Sequence, residues 1–298
     1  MAKHIWGLVG PTASGKTAAA LALALAAGGE ILCMDSMQVY RGMDIGTAKP
    51  TPAERALVPH RLLDLCGPEE PFSVSDWLSA CEKALEEVRV PILCGGTGLY
   101  LDALSWKQSF GGAPGDDGIR KRLKALAGEK GCGYLHSLLR AADPVMAARL
   151  HPNDVRRVIR ALEVRELTGR SLSEFAAKEA DTRWDFTLFA IDYPRAELYA
   201  RIDRRVDEMV RLGLMEEVRA LLERGVGREC TSMQGIGYKE TADCLRGLLS
   251  PEEAVSLIKL HTRHYAKRQL TWFRRDARIT WLTPEQARRL PETIRFGG

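Results

Sequence analysis

The sequence predicts an α/β fold: a parallel sheet flanked by helices, with a helical insertion domain between two of its strands. Three observations carry this reading. Short apolar runs alternate with helical patterns, the arrangement of a parallel sheet covered on both faces. The first run ends in GPTASGKT at 10–17, a full match to GxxxxGK(S/T) in strand–loop–helix context, which makes the class P-loop NTPase-like. No strand pattern occurs between Tyr100 and Trp184, where helical segments follow one another instead.

Taken in order, Ile5–Val9 is the first strand and Lys16–Ala27 the helix after it. Ile31–Cys33 is a second strand that stops at Asp35, and Pro91–Cys94 a third that runs into Gly95 and Gly96. Thr187–Ile191 and Ile279–Leu282 complete the series. Within the gap, Gly111–Gly115 reads as a loop. Ile119–Ala127, Tyr134–Ala142, Pro144–Leu150, Asn153–Thr168 and Ser171–Lys178 read as successive helices. Ser171 and Glu174 have capping-box spacing, and Gly169 suits a helix C-terminus. From Arg195 the chain is again mostly helical, with Pro251 opening a long amphipathic helix to about Arg274. The expected division is a catalytic core of residues 1–104 and 186–298 and an insertion of 105–185. That agrees with about two domains for 298 residues.

Composition narrows the function classes. Apolar residues make 45% and charged residues 28%, enough for a real core and too ordered a mixture for a disordered chain. The longest uncharged stretch near the start, Thr17 to Gly29, has 13 residues, short of the roughly 18–20 of a membrane span. Seven scattered cysteines, without a CxxC pair, predict reduced structural thiols in a cytoplasmic protein and no zinc site. The net charge of +4 hides an uneven distribution: −3 over residues 1–100, +3 over 101–150, −1 over 151–250 and +5 over 251–298.

Three segments carry chemistry. In the P-loop, Gly10, Pro11, Thr12, Ala13, Ser14 and Gly15 would turn backbone N–H groups around a diphosphate. Lys16 adds a point charge, and the Thr17 hydroxyl can ligate Mg²⁺. ATP or GTP is the ordinary occupant of such a loop. Yet the chain has no NKxD guanine reader and no apolar run ending in Asp-Glu to activate water. The second segment, DSMQVYRGMDIGTAKP at 35–50, places Asp35 just past a strand, at the carboxyl edge where such sheets bind ligands. The third, GGTGLY at 95–100, brings Thr97 to the same edge.

Together with the 68–73 run PEEPFS, HPNDVRRVIRALEV at 151–164, GIGYK at 235–239 and KRQLTWFR at 267–274, these segments resemble the tRNA dimethylallyltransferase (tRNA isopentenyltransferase) family. The resemblance implies transfer of a dimethylallyl group from its diphosphate to N6 of adenine 37 of tRNA, beside the anticodon. The cradled diphosphate is then a leaving group, so no water need be activated. Asp35 would be the general base, Thr97 would position the acceptor, and Thr17 would hold Mg²⁺. Arg205, by alignment through 198–206, would clamp the pyrophosphate, with Arg201 and Arg204 as neighbouring candidates.

Expected tRNA contacts are Ser36, Met37 and Gln38 beside Asp35 and Thr97, and Arg120, Arg156, Arg157 and Arg160 in the insertion. Gln234, Gly235, Tyr238, Lys239 and Arg268 supply more. His60-Arg61 stands where the family often has two histidines, and nothing suggests the C-terminal zinc finger of eukaryotic members. A cytoplasmic monomer that touches tRNA and dimethylallyl diphosphate but no membrane is the expectation. A P-loop small-molecule kinase using ATP is the rival enzyme, and an RNA-binding nucleotide switch the rival without chemistry.

Overall fold

The computed structural model describes residues 2–107, 115–175 and 179–294. Its strands are β1 (Lys3–Val9), β2 (Glu30–Met34), β3 (His60–Arg61), β4 (Pro91–Gly95), β5 (Trp106–Lys107), β6 (Glu179–Ala180), β7 (Trp184–Ile191) and β8 (Ile279–Leu282). The chain divides into two compact units, Met1–Leu104 with Thr182–Gly298, and Ser105–Asp181.

In the first unit six strands form one sheet in the order β3-β2-β4-β1-β7-β8, every pair parallel. The strands read as near-continuous apolar runs because both faces are covered. On one face Leu8, Ile31 and Ile92 pack against Ala20, Leu23 and Ala24 of helix Lys16–Ala27. On the other, Val9, Leu32 and Leu93 belong to the larger core that also holds Trp77, Leu85, Tyr238 and Phe273. With all strands parallel, the segments leaving β1, β2 and β4 open on one edge, and the sheet's neighbours β4 and β7 flank the strand that carries the P-loop.

Most strands run longer than their apolar runs suggest. β7 begins at Trp184 rather than Thr187, since Trp184 and Asp185 already pair with Lys3 and His4. That pairing draws residues 182–185 into the sheet unit, so the insertion ends at Asp181 rather than at 185. The edge strand β3 was not expected from the sequence; its two residues pair with Ile31 and Leu32. Helices Pro52–Leu57 and Val74–Glu87 were also not expected. Each starts on a full capping box, Thr51 with Glu54 and Ser73 with Asp76, a signal present in the sequence. Among the described residues, no helix is long and apolar enough to cross a membrane.

The second unit is helical, with Asp117–Lys130, Cys132–Ala142, Pro144–Arg149 and Val155–Thr168 packed around Leu123, Leu135, Leu139, Val158 and Leu162. Two departures from expectation occur. β5 and β6 make a two-residue antiparallel pair where no strand pattern was read. The expected helix 171–178 is a single 3₁₀ turn, Leu172–Phe175, over its described part. Asp143 explains the turn, accepting Met146 N at 3.0 Å as a helix cap and Ser173 N at 2.9 Å. Residues 176–178 of that helix and 111–114 of the expected loop lie outside the described residues.

Glu163 is a fully buried carboxylate in this unit. It accepts from Asp116 N at 2.7 Å, Arg160 Nη1 at 2.7 Å and Arg120 Nε at 2.8 Å. Burial alone would raise its pKa, but these donors outweigh it and hold the carboxyl below the usual glutamate range. The stabilisation is therefore complete above a pH of about 4.3 and is lost as pH falls through the lower folded value. Glu163→Gln should cost about 1–3 kcal/mol at neutral pH. Thermal melts of both proteins across the acid range should show that difference shrinking; a constant difference would contradict it.

Candidate active site

The phosphate loop is built from backbone that most residues avoid. Gly10 has φ 120°, Ala13 φ 61° and Gly15 φ 87°. Gly15 caps helix Lys16–Ala27 without a side-chain acceptor, so the first-turn N–H groups face outward as an anion site. Left-handed Ala13 is held by Arg201, whose Nε donates to the Ala13 carbonyl at 2.8 Å while its guanidinium lies 4.6 Å over the Tyr193 ring. The Ser14 hydroxyl is buried without a hydrogen-bond partner among the described residues.

Beside the loop is a cleft of about 380 Å³. Ala13, Gly15, Lys16, Thr17 and Ala18 line it together with Arg201, Arg204, Arg205 and Glu54. Arg205, the expected clamp, thus shares the cleft with both neighbouring candidates. Burial lowers the pKa of Lys16 and of Arg205. The Arg205 charge lowers Lys16 further, while Asp35 opposes the shift on both. Crowded, partly desolvated cations of this kind favour a polyanion.

Asp35 follows β2, and its Oδ1 accepts from Met37 N at 2.8 Å and Gln38 N at 3.3 Å. This turn fixes the carboxylate through Oδ1. Thr97 follows β4, its N–H donating to the Met34 carbonyl and its Oγ1 accepting from Ser36 N at 3.1 Å. The two expected acceptor residues are therefore neighbours. Cys33 and Cys94 pair in register beneath them, and burial pushes both thiols up, Cys94 to about 11. Both stay neutral; Cys33 Sγ donates to Gln38 Oε1 at 2.9 Å, and Cys94 is in hydrogen-bond reach of the Thr17 hydroxyl.

Two expected base or tRNA contacts have other duties. Both amide hydrogens of Gln38 go to the Thr47 and Ala48 carbonyls, at 3.0 and 3.1 Å, so the side chain shapes its own loop rather than offering donors to a base. Tyr238 is 1% exposed and its hydroxyl donates to Glu217 Oε1 at 2.6 Å, which makes it a core residue and not a tRNA contact. Its expected neighbours fare differently. Gln234 and Lys239 are exposed, and Gly235 lies under Met37, whose Cε would fall 2.5 Å from a Cβ at that position. Arg268 is exposed, 5.6 Å over the Tyr265 ring.

In the insertion unit, Arg120 and Arg160 are bound to buried Glu163, and Arg157 to Asp154 at 3.1 Å. Arg156 is exposed, with no ion pair to a described residue.

Two residues outside the expected set, Gln269 and Tyr265, complete the site. Gln269 is buried and bridges the two glycine loops, accepting from Thr12 N at 2.9 Å and donating to the Gly96 carbonyl at 2.9 Å. A Cβ on Gly96 would strike its Nε2 at 2.1 Å. Its signal was available: Ala266, Gln269 and Phe273 form the buried stripe of helix Pro251–Phe273, and an amide on such a stripe needs partners. Tyr265, one turn earlier, is in reach of Thr97 and Gln269; burial, then the Asp35 charge, push its phenol up, so it stays neutral. His60 lies in β3, its Nδ1 against the Val58 carbonyl, away from this cluster's bonds.

Among the described residues, no group of three His, Cys, Asp or Glu side chains could hold a metal ion. A cage made wholly of protein is thereby absent from them. The donor set fits Mg²⁺, which keeps waters and takes phosphate oxygens with one or two protein ligands. Thr17, whose hydroxyl could be one of those ligands, is among the residues lining the cleft.

Comparison with known proteins agrees with this geometry. Residues 38–276 match the IPP transferase family and residues 3–62 the isopentenyl transferases. The tRNA dimethylallyltransferase of Geobacillus kaustophilus is 47% identical over 286 residues, covering 94% of this chain and 90% of that protein. That of Symbiobacterium thermophilum is 49% identical over 295 residues, covering 96% and 92%. A full-length tRNA isopentenylpyrophosphate transferase structure from Bacillus halodurans superposes with TM-score 0.71 at 42% identity, covering 98% of this chain and 95% of that one. A eukaryotic dimethylallyltransferase acting on tRNA gives TM-score 0.79 at 29% identity over 95% of this chain and 74% of its own. A match that runs from the acceptor turn through the arginine cleft to the end of the long helix leaves one conclusion: the chain belongs to the IPP transferase family, among the tRNA dimethylallyltransferases.

Proposed function

We propose that the protein transfers a dimethylallyl group from dimethylallyl diphosphate to N6 of adenine 37 in the anticodon loop of tRNA. The observation that carries this is the shared field of Asp35, Lys16 and Arg205: a fixed carboxylate stands beside a cationic diphosphate cleft. The diphosphate would lie on the Gly10–Thr17 backbone with Lys16 and Arg205 around it. As the allylic C–O bond breaks, its electron pair leaves on the diphosphate, where these cations stabilise it. N6 bonds to the freed carbon and its proton passes to Asp35 Oδ2. Thr97 and the Ser36–Met37 backbone would orient the base. Mg²⁺ held by Thr17 would add charge stabilisation to the leaving group.

The acceptor adenine must leave its stack to reach this edge, a cost of a few kcal/mol that contacts to tRNA phosphates offset. Arg156, exposed and without an ion pair to a described residue, is the insertion's best candidate for such a contact. Arg156→Ala should weaken tRNA binding and lower the slope of log K against log salt by about 1. Binding titrations over a salt series decide it, an unchanged slope removing Arg156 from the phosphate contacts. All seven thiols are free, which supports a cytoplasmic protein.

The test is incubation with dimethylallyl diphosphate, Mg²⁺ and unmodified tRNA carrying adenines 36 and 37, followed by nucleoside mass spectrometry. Isopentenyladenosine is the expected product. Folded protein that yields none, and instead moves the γ-phosphate of ATP to a small acceptor, would overturn the proposal in favour of a kinase.

A further inference from the structure

We infer that Glu217 is a positioning residue for the transfer, holding the segment that aims Asp35; the inference rests on the reading above. Glu217 lies on helix Leu214–Glu223 and is not among the residues lining the arginine cleft. Its carboxylate is bound by four donors. Oε2 accepts from Asp44 N at 2.8 Å and Ile45 N at 2.7 Å. Oε1 accepts from Gly46 N at 3.1 Å and the Tyr238 hydroxyl at 2.6 Å. Three successive backbone N–H groups converging on one point form an anion nest, here filled by a side chain from far along the chain.

The next residues carry the constraint onward. The Thr47 and Ala48 carbonyls take both amide hydrogens of Gln38, and Gln38 N completes the turn on Asp35 Oδ1. Carboxylate, loop, amide and base are thus joined by hydrogen bonds and the short covalent steps between them. Local bonds, Ala48 N to Ile45 O, Lys49 N to Asp44 O and Thr47 Oγ1 to Met43 O, close the loop but leave strained backbone that outside contacts must hold. Ala48 sits at φ 46°, and a Cβ on Gly46 would fall 2.5 Å from the Tyr238 ring. Lys49, its side chain 1% exposed, anchors the far end through Tyr40 O, Asp44 and Asp64 at 2.6–2.8 Å. An amide at 217 cannot replace the carboxylate, because its NH₂ would face N–H donors.

The test uses the full-length enzyme with dimethylallyl diphosphate and tRNA. Glu217→Gln should slow single-turnover transfer by about 10- to 100-fold, the scale of a small misplacement of a reacting group. The tRNA Kd and donor KM should stay within about twofold, since Glu217 itself neither lines the cleft nor is among the expected tRNA contacts. Gln38→Met should give a similar loss, and the double variant should be no slower than the slower single one, as members of one network behave. A near-wild-type transfer rate for Glu217→Gln, losses that multiply in the double variant, or Kd and rate falling together with Tm would each overturn the inference. Where Glu217→Gln does not fold, Tyr238→Phe removes one of the four donors; about threefold slower transfer is expected, and a wild-type rate overturns it. Wild type is run alongside. No product from wild type defeats the transferase reading itself, whereas an active wild type with an equally fast Glu217→Gln defeats only this role.

Discussion

Asp35→Asn should lower the transfer rate by about 10²–10⁴-fold while leaving tRNA affinity and thermal stability near wild type. Asparagine separates the two duties of this side chain. Its Oδ1 can still accept from Met37 N and Gln38 N, so the turn after β2 is kept. Its other end becomes an NH₂, which cannot take the N6 proton. Asp35→Ala removes both duties and should add a loss of tRNA affinity to the loss of rate. Single-turnover rates at saturating donor and tRNA, beside direct binding of tRNA, distinguish the cases. An Asp35→Asn enzyme within a few-fold of wild type would dismiss the general base. An Asp35→Asn enzyme that loses binding and rate in equal measure would make Asp35 a recognition residue instead.

The sequence shows some layers of this molecule better than others, for physical reasons. The P-loop was legible because its chemistry is backbone chemistry: glycines at 10 and 15 mark the left-handed turns, and the residues that use them are contiguous. The five longer strands were legible as apolar runs because both faces of the sheet are covered. β3 was not, since a two-residue edge strand has no period to read. The site's supports were hidden for a different reason. Gln269 and Glu217 act across 173 positions of chain, each through a single side chain, and no local pattern announces such contacts. The resemblance placed Tyr238 and Gln38 in the right segments but on the wrong duty. Glu217 bonds one and the Thr47 and Ala48 carbonyls bond the other, so both build the loop that presents its neighbours. Charge patterning had the same weakness in the insertion. Arg156, Arg157 and Arg160 look alike in sequence, yet buried Glu163 engages the last and Asp154 the second.

Lys16→Met should reduce kcat/KM for the donor by about 10²–10³-fold, the usual loss when a donor to developing negative charge is removed. The geometry makes the side chain costly to the empty enzyme and valuable to the loaded one. Burial and the Arg205 charge both lower its pKa, so the free site holds an ammonium that its surroundings only partly support. Lys16 Nζ reaches the Pro11 carbonyl at 3.2 Å, a weak substitute for phosphate oxygens. A group whose folded pKa lies below its unfolded value opposes folding while it is charged, and that opposition fades as pH rises through the folded value. Methionine removes the charge and keeps the stem, so the Tm of the ligand-free variant at neutral pH should not fall, although its activity collapses. The same shift gives wild type an alkaline limit: donor KM should rise at a pH below the ordinary lysine value of about 10.4, and this limb should be missing in Lys16→Met. Lys16→Arg should not restore activity, because a planar fork cannot occupy a loop shaped around a point charge. Donor KM and kcat across pH, with melts of the free proteins, measure all of this. A Lys16→Met enzyme that keeps its donor kcat/KM, or that melts well below wild type, would show that Lys16 supports the loop rather than the leaving group.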